Sequence, residues 1–351
     1  MMRRALHTAT LLVLGVLSAA CHFRPLEDPS NVSYVRVYVD ERDLLNVKEG
    51  FYNPAFAHPE YKRPEIMHVS LFDPATGALV TDRYLRNHGE DERGFYFDGY
   101  VVVNPGTYHL AVYNFGTEST VVDGEYNWQD LSASTHLVST SLTALYSKDG
   151  ETRVVDGPVR YDADLLWVAS EQEVTVRSHQ QADTLRQADG TPWFTASSVV
   201  KDYYLQIGVK GAQYIRTSVG ILGGMASSVK LSTKAYLDAD PTSLFMEMNT
   251  GAYPEEDRQC LYATFGTFGR LDTQENQLQL SFELVTTYGS TFEVSLDIYP
   301  EFLKPDAVNH RWLIIDKVIT IPDPPDGGEG AGGGLAPSVE DWGNVESEII
   351  I

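Results

Sequence analysis

The chain has 351 residues with 49 acidic against 26 basic side chains, and the resulting net charge of −23 repels nucleic acid and offers no electrostatic attraction to an anionic membrane. With two cysteines there is little scope for disulfide stapling, so stability must come from hydrophobic cores, and the length suits two domains of ordinary size.

Arg3 and Arg4 precede an apolar run over residues 5–17, followed by small residues and Cys21, the pattern of a bacterial export signal spanning residues 1–20. The run is shorter than the roughly 20 apolar residues a spanning helix requires. Leu17-Ser18-Ala19-Ala20-Cys21 reads as a lipobox, with Ser18 where Leu is usual; plain cleavage after Ala20 is the alternative. Acylation would make Cys21 the membrane anchor, because two or three buried acyl chains at about 0.8 kcal/mol per methylene hold a protein stably. It would also leave Cys260 without a disulfide partner. Residues 21–30, with Pro25 and Pro29, form a lipidated linker.

Strands dominate the remainder of the chain. Val35, Val37 and Val39 alternate with Tyr34, Arg36 and Tyr38, the period of a half-buried strand over residues 32–39. Residues 67–71 and 78–84 flank the turn formers Asp73, Pro74 and Gly77 and predict a hairpin. Residues 96–103 and 107–115 flank Asn104-Pro105-Gly106 and predict another. Residues 131–146 are ambiguous, and residues 161–169 read as a closing strand. These place a first β-sandwich at residues 31–170.

A second β-sandwich is expected at residues 171–321, after which the chain is a tail. Leu278, Leu280, Phe282 and Leu284, then Phe292, Val294, Leu296 and Ile298, alternate with polar residues around a turn at residues 286–290. Shorter strands are expected at residues 203–209, 214–219, 227–233, 243–248 and 261–268. Helical periodicity is nowhere sustained, so the fold class is all-β: two tandem sandwiches and a flexible C-terminal tail. That tail, residues 322–351, holds seven carboxylates and no Lys or Arg. Its Gly/Pro-rich part through Pro337 is a spacer. Beyond it Trp342, Val345, Ile349 and Ile351 mark a candidate strand that pairs either with a neighbouring subunit or with the edge of its own second domain.

Catalytic chemistry finds no foothold. The histidines His58, His68, His88, His109, His136, His179 and His310 stand singly, without metal-ligand spacing. The glycine-rich stretch from Gly220 to Gly224 lacks the Lys and Ser/Thr of a phosphate loop and suits close sheet packing. Asp162 with Asp164, and Asp238 with Asp240, offer paired carboxylates but not a calcium loop. No metal, cofactor or catalytic residue is therefore nominated, and the chain is read as a binding or assembly protein rather than an enzyme. Its 20 tyrosines could line a sugar-binding face, for which Tyr100, Tyr108, Tyr113, Tyr262 and Trp312 are the candidates. A surface hydrolase without a visible motif is the remaining alternative.

Four stretches together carry a resemblance: Leu71-Phe-Asp-Pro-Ala-Thr-Gly77, Asn104-Pro-Gly-Thr-Tyr-His-Leu-Ala-Val-Tyr-Asn114, Gly223-Gly-Met-Ala-Ser-Ser-Val-Lys-Leu-Ser232 and Leu261-Tyr-Ala-Thr-Phe-Gly-Thr-Phe-Gly269. They resemble the fimbrial anchor subunit lipoproteins, relatives of the fimbrillins of type V pili. The resemblance implies two transthyretin-like sandwiches, lipid anchorage at the outer membrane through Cys21, and pilin or fimbrillin partners joined by lending a β-strand. A glycan is the alternative partner. In that family stalk subunits lose their first strand by cleavage after a basic residue, for which Arg36 and Arg42 are placed here, whereas anchors keep it; retention is expected.

Overall fold

The computed structural model describes residues 31–45, 61–139, 158–177, 183–236, 241–252, 259–271, 278–324 and 338–341. Within them the chain is nearly all β, with 23 strands and one short α-helix. The first strand, β1 (Val32–Val39), folds as its alternation dictates: Val35, Val37 and Val39 are buried, and Tyr34 and Arg36 lie on the other face. It pairs antiparallel with β5 (Gly94–Val102), which also holds β4 (Asn87–Asp91), and parallel with β13 (Phe194–Ser198).

A second layer runs β3 (Leu79–Leu85), β2 (Met67–Phe72), β6 (Gly106–Asn114) and β10 (Trp167–Val176) in hydrogen-bonded order. The two layers are one sheet folded over at β13, whose residues 194–196 pair with β1 and 197–198 with β10. The two-residue strands β11 (Asp183–Thr184) and β12 (Arg186–Gln187) add to β1 and β10. Val37, Phe97, Met67, Val112 and Phe194 fill the space between the layers. The boundary expected between residues 170 and 171 falls inside β10, and Val174, Val176 and Leu185 are buried in this same first core.

The second unit is a true two-sheet sandwich. One sheet runs β18 (Asn249–Ala252), β19 (Gln259–Thr267), β14 (Lys201–Lys210), β22 (Trp312–Thr320) and β23 (Ser338–Asp341). The other runs β21 (Thr291–Asp297), β20 (Gln279–Thr286), β15 (Ile215–Ala226), β17 (Pro241–Glu247) and β9 (Val159–Tyr161). Leu205, Ile207, Leu222, Phe265, Phe282 and Ile315 meet between them. The helix α1 (Pro305–His310) packs beside β22 and ends at Arg311, whose φ of 61° stops it.

The strand expected over 161–169 is instead two ends with a connector: β9 closes at Tyr161, and β10 opens at Trp167. β22 was not expected, for a physical reason. Opposite Ile207 and Gly208 of β14 stand Ile315 and Val318, so Asp316 and Lys317 form a bulge that breaks the period-2 pattern. Within the ambiguous 131–146 stretch, β8 (Ser132–Thr135) is formed.

β8 sits in a small third sheet between β7 (Thr120–Asp123) and β16 (Ser228–Lys230), the latter from the second half of the chain. Under it lies a core shared by both units. Phe72 and Tyr113, from the outward face of the β2–β6 layer, pack there with Leu131, Val168, Val229 and Phe268. The strands β2, β6 and β10 are therefore buried on both faces, and β2 has six buried residues in succession. A shared core makes the two units one cooperative block. Phe72→Ala should cost about 3–5 kcal/mol, and calorimetry should show a single transition moving to lower temperature; two resolved transitions would contradict the coupling.

Candidate functional site

Two places bear on strand exchange. At the C-terminal side the tail returns as β23 and pairs antiparallel with the edge strand β22, Lys317 opposite Asp341 through Thr320 opposite Ser338. This register engages four residues of a nine-residue strand. Trp342, Val345, Ile349 and Ile351, the expected donor residues, lie outside the described residues, as does Cys21. At the N-terminal side β1 is interior, held over seven residue pairs by β5 and over three by β13.

Arg36, one of the two possible cleavage points, is clamped. Its guanidinium lies 4.1 Å from the Tyr96 ring centroid and donates to Asp98 at 3.3 Å and to Asp91 at 3.5 Å. The Tyr34 hydroxyl donates to the same Asp98 carboxylate at 2.5 Å, and burial together with that bond pushes its pKa up to about 12. Arg42 differs: it is exposed and bonded locally to Asp40 at 2.6 Å.

After β1 the chain leaves its own sandwich and is strapped to the second. Arg311 donates to the Asp43 carboxylate at 3.0 Å, Leu45 is buried against Tyr204 of β14, and Tyr61 packs in the same cluster with Tyr262, Trp312 and Ile314. The Tyr61 hydroxyl donates to Asp202 at the start of β14.

Asp202 faces a cleft of about 510 Å³ between the two units, which Asp162 also lines. Both carboxylates converge on Gly266 of β19. The Gly266 N–H reaches Asp162 Oδ2 at 3.4 Å, and a Cβ on Gly266 would stand 3.0 Å from Asp202 Oδ1 and 2.1 Å from the Ala163 carbonyl oxygen, so only glycine fits. The neighbouring Asp164 turns the other way and accepts the Ser119 and Thr120 N–H groups at 2.6 and 2.8 Å. The Asp162–Asp164 pair is thus split between two hydrogen-bonding jobs, one in each unit, and among the described residues no three His, Cys, Asp or Glu side chains cluster as a metal site. Asp238 and Asp240 lie outside the described residues.

Burial pushes Asp162 and Asp202 each up to about 6; Asp164 adds to the shift of Asp162 and Asp162 to that of Asp202, while Tyr61 and Arg311 oppose it at Asp202. Raised carboxylate pKa values favour the folded state when the groups are protonated. Their cost is present in full above about pH 6 and is relieved as pH falls toward the unfolded value near 3.8. Asp202→Asn should therefore raise stability at pH 7 by roughly 2 kcal/mol and flatten its dependence between pH 4 and 7. Denaturant midpoints across that range are the measurement, and an unchanged pH profile would contradict the assignment.

The other residues nominated by sequence are dispersed. Tyr100 is exposed on β5, Tyr113 is buried in the shared core, Tyr108 packs against the first core, and Tyr262 and Trp312 lie under the strap at Leu45. His68 is buried beside Tyr113 and His109 stacks on Trp128, while His310 stacks on Trp312. Gly220 lies where a Cβ would come within 3.1 Å of Met246 Cγ on β17, and Gly224 takes a φ of 78° in the bulge between Leu222 and Met225. Sequence reasoning missed Asp202 and Gly266, because nothing local distinguishes a carboxylate or a glycine that becomes special only by approaching a distant connector.

The comparisons with known proteins agree with this architecture. A Bacteroides ovatus protein described as a presumptive fimbrium anchoring subunit, Fim4B, is 25% identical over 82% of this chain and 85% of its own length. A crystal structure of a candidate adhesin from Bacteroides ovatus covers 87% of this chain and 94% of its own at 19% identity and a TM-score of 0.52, which shows a shared fold. The alignment with the fimbrial anchor protein Mfa2 of Porphyromonas gingivalis covers 82% of this chain and 90% of that one at 13% identity, with a TM-score of 0.42. A family model described as a domain of unknown function, DUF5119, matches residues 59–247, more than half of the chain, and the chain belongs to that family.

Proposed function

We propose that the chain is a lipid-anchored anchor or accessory subunit of a type V pilus at the outer membrane, joined to pilin or fimbrillin neighbours by β-strand pairing. The observation that carries the assembly reading is the β22 edge. It belongs to a well-buried sandwich, yet among the described residues its cover, β23, pairs over four residues and follows a Gly/Pro-rich stretch of sequence. A backbone edge seeks hydrogen-bond partners, and a short cover on a long leash is easily exchanged for another strand. Fimbrial naming of the relative Fim4B supports the same reading, which calls for no cofactor and no catalysis.

The interior position of β1 supports retention of the first strand. Cleavage after Arg36 would remove residues 32–36 from the β5 ladder and from β11, and would take the Tyr34 and Arg36 donors away from the buried Asp98 carboxylate, leaving it the Asn87 amide. Mass spectrometry of the membrane-extracted protein should find an acylated amino terminus at Cys21, and Cys21→Ala should move the chain from the membrane to the soluble fraction. An amino terminus just after Arg36 or Arg42, or a Cys21→Ala chain still in the membrane, would overturn the anchor reading.

Strand donation places its demand on the last ten residues. Deleting residues 342–351 should abolish co-purification with filament subunits after crosslinking while leaving thermal unfolding of the isolated chain nearly unchanged. Normal assembly by the truncated chain would refute the donor role. A marked loss of intrinsic stability would instead assign the segment to its own second sheet.

A further inference from the structure

β1 is the first described strand after the candidate anchor at Cys21, and its surroundings set how the fold answers a pull. Two ladders hold it: seven residue pairs to β5 on one side, and two to β11 and three to β13 on the other. The ends of β1 differ. At Asn31 the neighbour is the turn between β5 and β6, whose Val103 N–H donates to the Asn31 carbonyl at 3.1 Å. Beyond Val39 the chain reaches the second unit, where Arg311 donates to the Asp43 carboxylate at 3.0 Å and Leu45 is buried against Tyr204.

β13 lies parallel to β1 and continues into β14 of the second unit. A pull between Asn31 and the second unit therefore acts on opposite ends of two adjacent parallel strands. Ladder hydrogen bonds run across the strand direction, so this pull loads them together instead of one after another. A slip by one residue would also turn Val35, Val37 and Val39 out of the core and Arg36 into it.

Side chains add a second set of ties across β1, β5 and β4. Arg36 reaches Asp98 and Asp91 and lies over the Tyr96 ring, Tyr34 donates to Asp98, and Tyr38 donates to Asp91 at 2.8 Å. All of these must break for β1 to slide. The C-terminal side is built the opposite way. β22 is parallel to β14, so its Trp312 end is the one nearer the first unit. β23 runs antiparallel to it, with Ser338 opposite Thr320 and Asp341 opposite Lys317. A pull that enters at Asp341 and is directed away from the first unit peels these four pairs off one at a time.

We propose that β1, its two ladders and the Arg36 ties form a shear clamp that lets the fold carry tension applied at its N-terminus, with β23 the part that yields first. The clamp acts in the cell only if the chain is held at Cys21, so its role rests on the anchor reading. Its mechanics belong to the fold and are measurable on the isolated chain.

The test is constant-force tweezers on the chain from Cys21 to Ile351, made without the export signal so that the Cys21 thiol takes one handle. A second handle at Glu92→Cys, in the β4–β5 turn at the Val39 end, shears β1 along β5, whereas one at Pro105→Cys, beside Asn31, unzips the same ladder. At equal force the sheared ladder should last at least about tenfold longer, because forced opening follows the unfolding barrier. Arg36→Ala should shorten the sheared lifetime about tenfold, and Arg86→Ala, at an exposed arginine outside the clamp, should leave it unchanged. With the second handle placed after Ile351, the first extension step should be release of the stretch from Thr320 to Asp341. Equal lifetimes in the two geometries, a sheared lifetime indifferent to Arg36→Ala, or loss of β1 before β23 would overturn the clamp. A membrane-extracted chain without lipid on Cys21 would overturn the anchor reading instead, and would leave these lifetimes as they are.

Discussion

Everything else in the molecule rests on burying the outward face of the β2–β6–β10 layer. A sandwich normally wets that face, and here Phe72, Ala111, Tyr113 and Val168 cover it with apolar surface instead. At about 25 cal/mol per Å² of apolar area, leaving such a face in water would cost several kcal/mol. The chain solves the problem by bringing the small β7–β8–β16 sheet and the near end of the second sandwich over it. The two units are welded by the same surface that would otherwise be a liability.

Once welded, the joint has to accommodate polar connectors. The segment from Asp162 to Asp164 passes between the units with one carboxylate turned toward each, and its backbone exchanges hydrogen bonds with Gly266 and Thr120. Asp202, Tyr61 and Arg311 complete the arrangement on the second unit, and Arg311 reaches back to Asp43 of the strap. The strap explains how β1 can be central to the first unit while the residues just after it shield Tyr204 and its neighbours on the second. Covalent continuity, the apolar weld and the strap all resist separation of the two units.

The weld also separates rigid from exchangeable edges. β1, β2, β6, β10 and β14 all have strands on both sides, and their hydrogen bonds are satisfied within the fold. β22 would be the outermost strand of its sheet but for a cover that arrives after the spacer. Its bulge at Asp316 and Lys317 turns two charged residues into the edge, a feature that blunts unselective pairing without preventing a matched strand from docking.

The sequence by itself determined the all-β class and the clearest strands. Alternation in Val35, Val37 and Val39 and in Leu280, Phe282 and Leu284 is a local property, and it decides which face of a strand meets a core. Turn formers such as Gly77 at φ 73° similarly act over a few residues. Only the tertiary structure decided which strands are neighbours. The return of residues 194–196 to lie beside β1, the joining of Val159–Tyr161 to β17 and the sharing of β8 and β16 depend on pairings between segments far apart in the chain, which no local pattern encodes. The cleft was illegible for the same reason: Asp162, Asp202 and Gly266 are ordinary in sequence and become neighbours only in the folded chain. Their chemistry exists only because the weld brings distant backbone segments within hydrogen-bonding distance and removes the water that would otherwise make each residue unremarked.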